Sequence, residues 1–215
     1  MRIHDLTAEV STHMPVWPTN PLPVIEPVGI TSRDGYAIER ISAMTHTGTH
    51  IDAPYHFIDG GATVDAIPVE RLVSRGFCIR PGVRGEEISR ADLERVWDRR
   101  FRGSAILIDT GWSRRRAFTK EFLYGFPGLS EDAADFLLSQ EVGMVGIDTL
   151  GIEPYSHHGF EVHKRLLSAG VVIIEDMANL DALEAGREYT VVALPLKLRG
   201  ASGSMARVIA MEVEW

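Results

Sequence analysis

Cysteine is nearly absent from this 215-residue sequence. The single Cys78 lies in the apolar run GFCIR, so one chain can build neither an internal disulfide framework nor a thiolate zinc site. No adjacent residue suggests the base or positive field that an activated thiol needs, and Cys78 reads as a small core residue. Positive charge is scarce too: 22 Lys and Arg against 30 Asp and Glu leave a formal net charge of −8. That balance disfavours nonspecific attraction to phosphate backbones or anionic lipid, so neither nucleic acid nor a membrane is expected as a partner. Long apolar runs are missing; none approaches the roughly 20 residues needed to cross a bilayer. The start, MRIHDLTAEV, lacks the basic stretch and apolar run of a secretory signal, and a cytoplasmic location is the expectation. No internal repeat or low-complexity segment is visible, which sets aside solenoids, propellers and disordered tails.

What is present is enough apolar residue, 45%, for one domain with a buried core over residues 1–215. Five of the eleven prolines, Pro15, Pro18, Pro21, Pro23 and Pro27, precede Ile30. They suggest an ordered but irregular arm over residues 1–30 that wraps a neighbouring element or subunit. GYAIERISAM, residues 35–44, has an imperfect strand-like alternation. Beyond it the elements alternate. A helix near residues 90–97 opens with the Ser89 and Asp92 capping pair, the strand SAILID follows, and a helix from about Glu131 to Gln140 is capped by Ser130. Next come the strand GMVGID, a helix around residues 160–168, the strand VVIIE, and two closing strands within YTVVALPLKL and ARVIAMEVEW. The expected fold class is α/β, a mixed β-sheet with packed helices.

The chemistry concentrates in HTGTHIDAPYHF, which places His46, His50, Asp52 and His56 within eleven positions of a chain with only eight histidines. His50 and Asp52 are two apart, so on an extended segment both side chains leave one face and can converge on an ion. His46 needs a bend to join them, and Gly48 supplies it; Thr47-Gly48-Thr49 and the closing Pro54 argue against helix. Imidazole and carboxylate donors suit zinc, manganese or ferrous iron, and three protein ligands leave a position open for water. A divalent cation there lowers the pKa of its water toward about 7 and polarises a carbonyl, so hydrolysis of an amide or ester is the natural reaction class. The plainer reading of the cluster is a hydrogen-bonded polar turn without metal. His56, not needed for a three-ligand set, is assigned the proton transfers, first as general base and then as general acid.

Two downstream residues are polar groups aimed at apolar surroundings. His163 shares a helix face with Phe160 and Leu167, and Glu175 ends the strand VVIIE. A buried carboxylate costs several kcal/mol, roughly, unless it is paired, hydrogen-bonded or metal-bound. Spacing alone leaves His163 open between satisfied core residue and ligand, and leaves either Glu175 or the neighbouring Asp176 free to face solvent. His157 and His158 read as loop residues. Arg114, Arg115 and Arg116 cannot all face one pocket, and a solvated face is expected for them. Trp17, in PVWP, reads as a pin for the arm or as a stacking surface for an aromatic substrate.

HTGTHIDAPYHF resembles the H-x-G-x-H-x-D-x-P-x-H segment of the cyclase-like metal hydrolases, a family that includes bacterial kynurenine formamidases and isatin hydrolases. The likeness continues in order through MPVWPTNP, GIDTLGIEP, VVIIED and ALPLKLRGASGSMARVIA. It implies the family's swivelling β/α/β fold and one or two divalent ions per chain, zinc or manganese. By that resemblance His46, His50, Asp52 and Glu175 would hold one ion, and Asp52, His163 and Glu175 a second. It likewise implies that His56 is the catalytic histidine and that Trp17 contacts substrate, near the pocket or across a subunit contact. The implied activity is metal-dependent hydrolysis of a small amide, foremost an aryl formamide such as N-formylkynurenine. The alternatives are ring opening of a cyclic amide such as isatin, or a metal-binding interaction protein that lost turnover. A homodimer or homotetramer is implied as well. PYSHHGFEVH and GWSRRRAFTKEFLYGF depart from the usual formamidase pattern and are expected to shape the pocket.

Overall fold

The computed structural model describes residues 1–212, and among these residues there are twelve strands and five α-helices, joined by short 3-10 turns. The strands are β1 (Ile3–Asp5), β2 (Val24–Gly29), β3 (Ile38–Ser42), β4 (His50–Asp52), β5 (Val73–Ile79), β6 (Glu87–Ile88), β7 (Ala105–Ile108), β8 (Gly128–Leu129), β9 (Met144–Ile147), β10 (Val172–Glu175), β11 (Glu188–Pro195) and β12 (Gly203–Met211). The helices are α1 (Thr31–Asp34), α2 (Arg90–Glu94), α3 (Lys120–Tyr124), α4 (Glu131–Ser139) and α5 (Glu161–Ser168). The main sheet runs β1-β12-β11-β5-β7-β9-β10-β4, and β4 also pairs with β12, which closes seven of the eight strands into a ring. Pairings are parallel from β5 through β7 and β9 to β10 and antiparallel elsewhere. The expected mixed α/β class is therefore observed, with a closure that periodicity could not reveal.

Two cores follow from strand alternation. Phe77, Ile79, Ile106, Ile108, Val145, Ile147 and Ile173 pack on one sheet face against Leu93 of α2, Ala134 and Leu137 of α4, and Val162 and Leu166 of α5. The intervening Cys78, Leu107, Met144, Val172 and Ile174 meet Ile51, Val191 and Val208 across the ring. Cys78 is fully buried, and that burial pushes its thiol up to about 12, which suits a core residue and not a nucleophile.

The helix starts match their expected positions. Ser89 and Asp92 form the reciprocal capping box of α2, although this helix stops at Glu94, short of 97. Ser130 precedes α4 but makes no capping bond; its hydroxyl lies 3.1 Å from Ile88 O. The reading of residues 1–30 as one irregular arm needs correction at both ends: Ile3–Asp5 pairs with β12, and β2 pairs with β3. GYAIERISAM does contain a strand, yet β3 lies outside the main sheet in a two-stranded ribbon and all five of its residues are exposed. The last strand begins earlier than expected, at Gly203, and the end of ARVIAMEVEW lies outside the described residues. No helix among the described residues is long and apolar enough to cross a membrane.

The short strand β4 is the seam of the ring. In its pairing with β10, His50 stands opposite Glu175, Ile51 opposite Ile174 and Asp52 opposite Ile173. On its other edge Asp52 stands opposite Gly203 and His50 opposite Met205. Gly203 is needed there: a Cβ would meet Ile51 O at 2.5 Å and His46 Cε1 at 2.6 Å. Gly203→Ala should therefore open the seam and lower stability by about 1–3 kcal/mol. Thermal unfolding of chelator-treated protein measures this, and an unchanged midpoint would contradict the seam's role.

Candidate metal centre

Register builds the site. Directly opposed residues share a face, so the pairing of β4 with β10 sets His50 beside Glu175, and the two-residue spacing adds Asp52. Gly48, at φ +61, makes the bend that returns His46 to the same cluster. α5 supplies His163. Two groups of donors result, His46, His50 and Asp52, and Asp52, His163 and Glu175; within each, the donor atoms lie within 4.8 Å of one another. All five ligands implied by the resemblance thus meet in one place, and Asp52 belongs to both groups.

The contacts are those of a dense ion-pair cluster. His46 Nδ1 lies 2.8 Å from Asp52 Oδ1, and His50 Nε2 lies 3.4 Å from both Asp52 Oδ1 and Glu175 Oε2. His163 Nε2 lies 2.9 Å from Glu175 Oε1 and 3.8 Å from Asp52 Oδ2. His50 Nδ1–H donates to Gly48 O at 2.8 Å, which leaves Nε2 turned toward the carboxylates. Burial opposes charging His50, but hydrogen bonds with Asp52 and Glu175 outweigh it and hold its pKa well above the ordinary histidine value. The same contest, with Glu153 and Glu175 as partners, lifts His163 to about 10. Burial would raise Asp52, yet hydrogen bonds from His46 and His50 hold it well below the usual carboxylate range. Glu175, opposed by burial and by the Asp52 charge, is still lowered by His163 and His50.

One atom tests whether a cation fits. Asp52 Oδ2 is buried and has no hydrogen-bond partner, although a buried carboxylate oxygen demands one. It points into the group formed with His163 and Glu175, where a divalent ion would satisfy it. The nitrogen and oxygen donor set is one that zinc and manganese accept.

His46, His50, His163 and Glu175 of the cluster line a cavity of about 360 Å³. His56, in the turn Pro54–His56 just after β4, stacks on His46 with ring centroids 3.9 Å apart and planes at 23°. Burial pushes its pKa down to about 4, so its ring is neutral at neutral pH. Trp17 stands on the wall, 5.1 Å from the Tyr155 ring, 5.9 Å from Phe126 and 6.3 Å from Phe160. It therefore both pins the arm and faces the cavity of its own chain. Phe57, Phe160 and Leu150 extend the apolar wall.

His157 and His158 lie in the loop before α5, as expected. Arg114 and Arg115 are exposed and pair with Asp181 and Glu121. Arg116 is the exception: it turns inward onto Asp176 and reaches Pro15 O at 3.5 Å. The choice between Glu175 and Asp176 as the solvent-facing residue does not arise, because both are buried. Asp176 adopts φ +55, which redirects the chain after the strand. Ser202, 2.9 Å from His46 Nε2, and Glu153, 2.6 Å from His163 Nδ1, were not singled out by spacing. The only signal for Glu153 was an acidic residue between Ile152 and Pro154 in GIDTLGIEP.

The Cyclase family model matches residues 4–154. A kynurenine formamidase from Geobacillus thermodenitrificans (strain NG80-2) is 31% identical over 214 residues, covering 94% of each chain. The chain belongs to the cyclase family. Among solved structures, a protein described as a potential metal-dependent hydrolase with cyclase activity shares 36% identity at a TM-score of 0.83, covering 100% of this chain and 99% of its own. Isatin hydrolase A from Labrenzia aggregata superposes at a TM-score of 0.88 with 28% identity, over 99% of this chain and 94% of its own. Family and donor set together make this cyclase-family chain a metal-dependent hydrolase served by a divalent cation.

Because liganding histidines must be neutral, cation binding has to displace the protons that His50 and His163 hold at neutral pH. Both pKa values are raised, so the protons are bound below them and apparent affinity must climb with pH, about tenfold per unit for each proton released. Calorimetric titration with Zn²⁺ in buffers of differing ionisation enthalpy, between about pH 6 and 8, should show net proton release. A pH-independent affinity would contradict it.

Proposed function

We propose that this chain is an amidohydrolase acting on non-peptide C–N bonds, with a small aryl formamide such as N-formylkynurenine as substrate. The observation that carries the proposal is the shared cavity: His46, His50, His163 and Glu175 of the donor cluster, His56 and Trp17 line one space of about 360 Å³. Apolar walls with a few convergent polar groups suit a small aromatic ligand. The resemblance to the Geobacillus kynurenine formamidase supports the formamide.

His46, His50, Asp52 and Glu175 would hold one cation, and Asp52, His163 and Glu175 a second, zinc or manganese in either case. When bound, such a cation lowers the pKa of a water toward about 7 and polarises the scissile carbonyl. Trp17, Phe57 and Phe160 orient the aryl group and exclude bulk water around it. His56 takes a proton from the attacking water and delivers it to the departing nitrogen. The water oxygen bonds to the formyl carbon, the C–N bond breaks, and formate and a free arylamine leave.

A second reading, ring opening of a cyclic amide such as isatin, is favoured by the similarity to isatin hydrolase A. It uses the same groups and leaves one product in place of two. The exposed apolar residues Ile38 and Ile41 of β3, with Tyr36 in the connection before it, support a homodimer or homotetramer, which sedimentation velocity checks; a lone monomer at micromolar concentration would count against it.

Purified protein incubated with N-formylkynurenine and, separately, isatin should release formate from the first, and a chelator should abolish the release. Ring opening of isatin without formate release would replace the formamide reading by the cyclic-amide one. Neither activity in metal-loaded protein would turn the search to other amides and esters, and to a metal-binding protein of this fold. His56→Ala should lower kcat by about 10²–10⁴-fold with cation content unchanged. A variant with near-normal kcat would remove His56 from the proton transfers. Trp17→Ala should act mainly on KM, raising it about 10-fold or more through lost stacking. An effect confined to kcat would argue against a binding role.

A further inference from the structure

Of the two ring nitrogens of His163, Nε2 faces Asp52 and Glu175, while Nδ1–H donates to Glu153 Oε1 at 2.6 Å. Glu153 is only 2% exposed and belongs to neither group of candidate ligands. It is itself held from several sides. Its carboxylate accepts from His163 N at 3.1 Å and Val162 N at 3.4 Å. These are free N–H groups of the first turn of α5, whose N-cap residue Phe160 offers no capping side chain. The preceding residue is anchored as well: Ile152 N donates to Glu175 Oε1 at 2.5 Å, and Ile152 O accepts from Leu129 N at 2.7 Å. Gly128 makes this approach possible, since a Cβ there would sit 2.4 Å from the Glu153 carbonyl carbon and 2.5 Å from its Cα.

We propose that Glu153 is a positioning residue of the metal centre: its carboxylate fixes the orientation and tautomer of His163, so that Nε2 is presented to the cation shared with Asp52 and Glu175. The proposal rests on the metal-centre reading above. The chemistry is general: a carboxylate on the distal nitrogen of a liganding histidine locks the ring and raises its basicity, and its loss commonly costs 10- to 100-fold in metal affinity. The same carboxylate also satisfies the start of α5, so the helix carrying His163 and the ring itself are registered by one group.

Zn²⁺ affinity of the full chain, measured by competition with a chromophoric chelator, tests the proposal in wild type, Glu153→Gln, His163→Ala and the double variant. Glu153→Gln should weaken Zn²⁺ binding by about 10- to 100-fold, and should cause no further loss once His163 is alanine. Wild-type affinity in Glu153→Gln, or an equal loss in both backgrounds, would overturn it. Gly128→Ala, outside the cluster, should reproduce the His163-dependent loss by displacing the Glu153 backbone. Glu161→Gln, at an exposed position on the same helix, should leave affinity unchanged. Should the substitutions prevent folding, long-range ¹H–¹⁵N spectra of the zinc-loaded wild type decide: His163 protonated at Nδ1 and bound through Nε2 is expected, and the reverse would overturn the proposal. Failure of the wild type to bind Zn²⁺ at all would be a different result, refuting the metal centre itself and the role of Glu153 with it.

Discussion

Two carboxylates buried at the seam of a closed sheet govern this structure. Asp52 and Glu175 lie on adjacent strands amid apolar residues, and taking each ionised group out of water costs several kcal/mol, roughly. Histidines offset part of that cost. His46, His50 and His163 surround the pair at hydrogen-bonding or ion-pair distance; the pair raises the pKa of His50, and Glu153 together with Glu175 raises that of His163. The offset is incomplete, because Asp52 Oδ2 finds no partner. A divalent cation would complete it and would leave the histidine nitrogens to serve as ligands in place of proton carriers.

The fold works to hold this charge in one place. Closure of β4 between β10 and β12 fixes which residues oppose each other, and a one-residue slip would turn His50 and Asp52 to the wrong face. The parallel half of the sheet brings its strand ends toward the same region, so Glu175 and the segment after β9 converge on the seam. The N-terminal arm then covers the cavity with Trp17, tied down through Pro15 and Arg116 to Asp176, the neighbour of Glu175. Binding wall and donor cluster are thereby mechanically linked.

Much of the site was legible because it is local. His46, His50, Asp52 and His56 fall in one twelve-residue segment whose period and glycine position dictate their convergence. His163 and Glu175 were visible as polar groups on apolar elements, but spacing could not say that α5 and β10 face β4; the family resemblance supplied that step. Glu153, Ser202 and the inward turn of Arg116 escaped notice because each depends on contacts between distant segments. The β-sheet was read correctly as mixed, while its closure depends on β4, only three residues long and too short to show a period. β3 shows the opposite case, alternation without burial: it pairs only with β2 and buries no face.

Anomalous X-ray scattering from crystals of the protein grown with Mn²⁺ tests the central claim most directly. A manganese peak should lie within about 2.0–2.3 Å of donor atoms of His46, His50, Asp52 and Glu175, or of Asp52, His163 and Glu175. Well-ordered density for these side chains with no manganese peak among them, at saturating Mn²⁺, would contradict it.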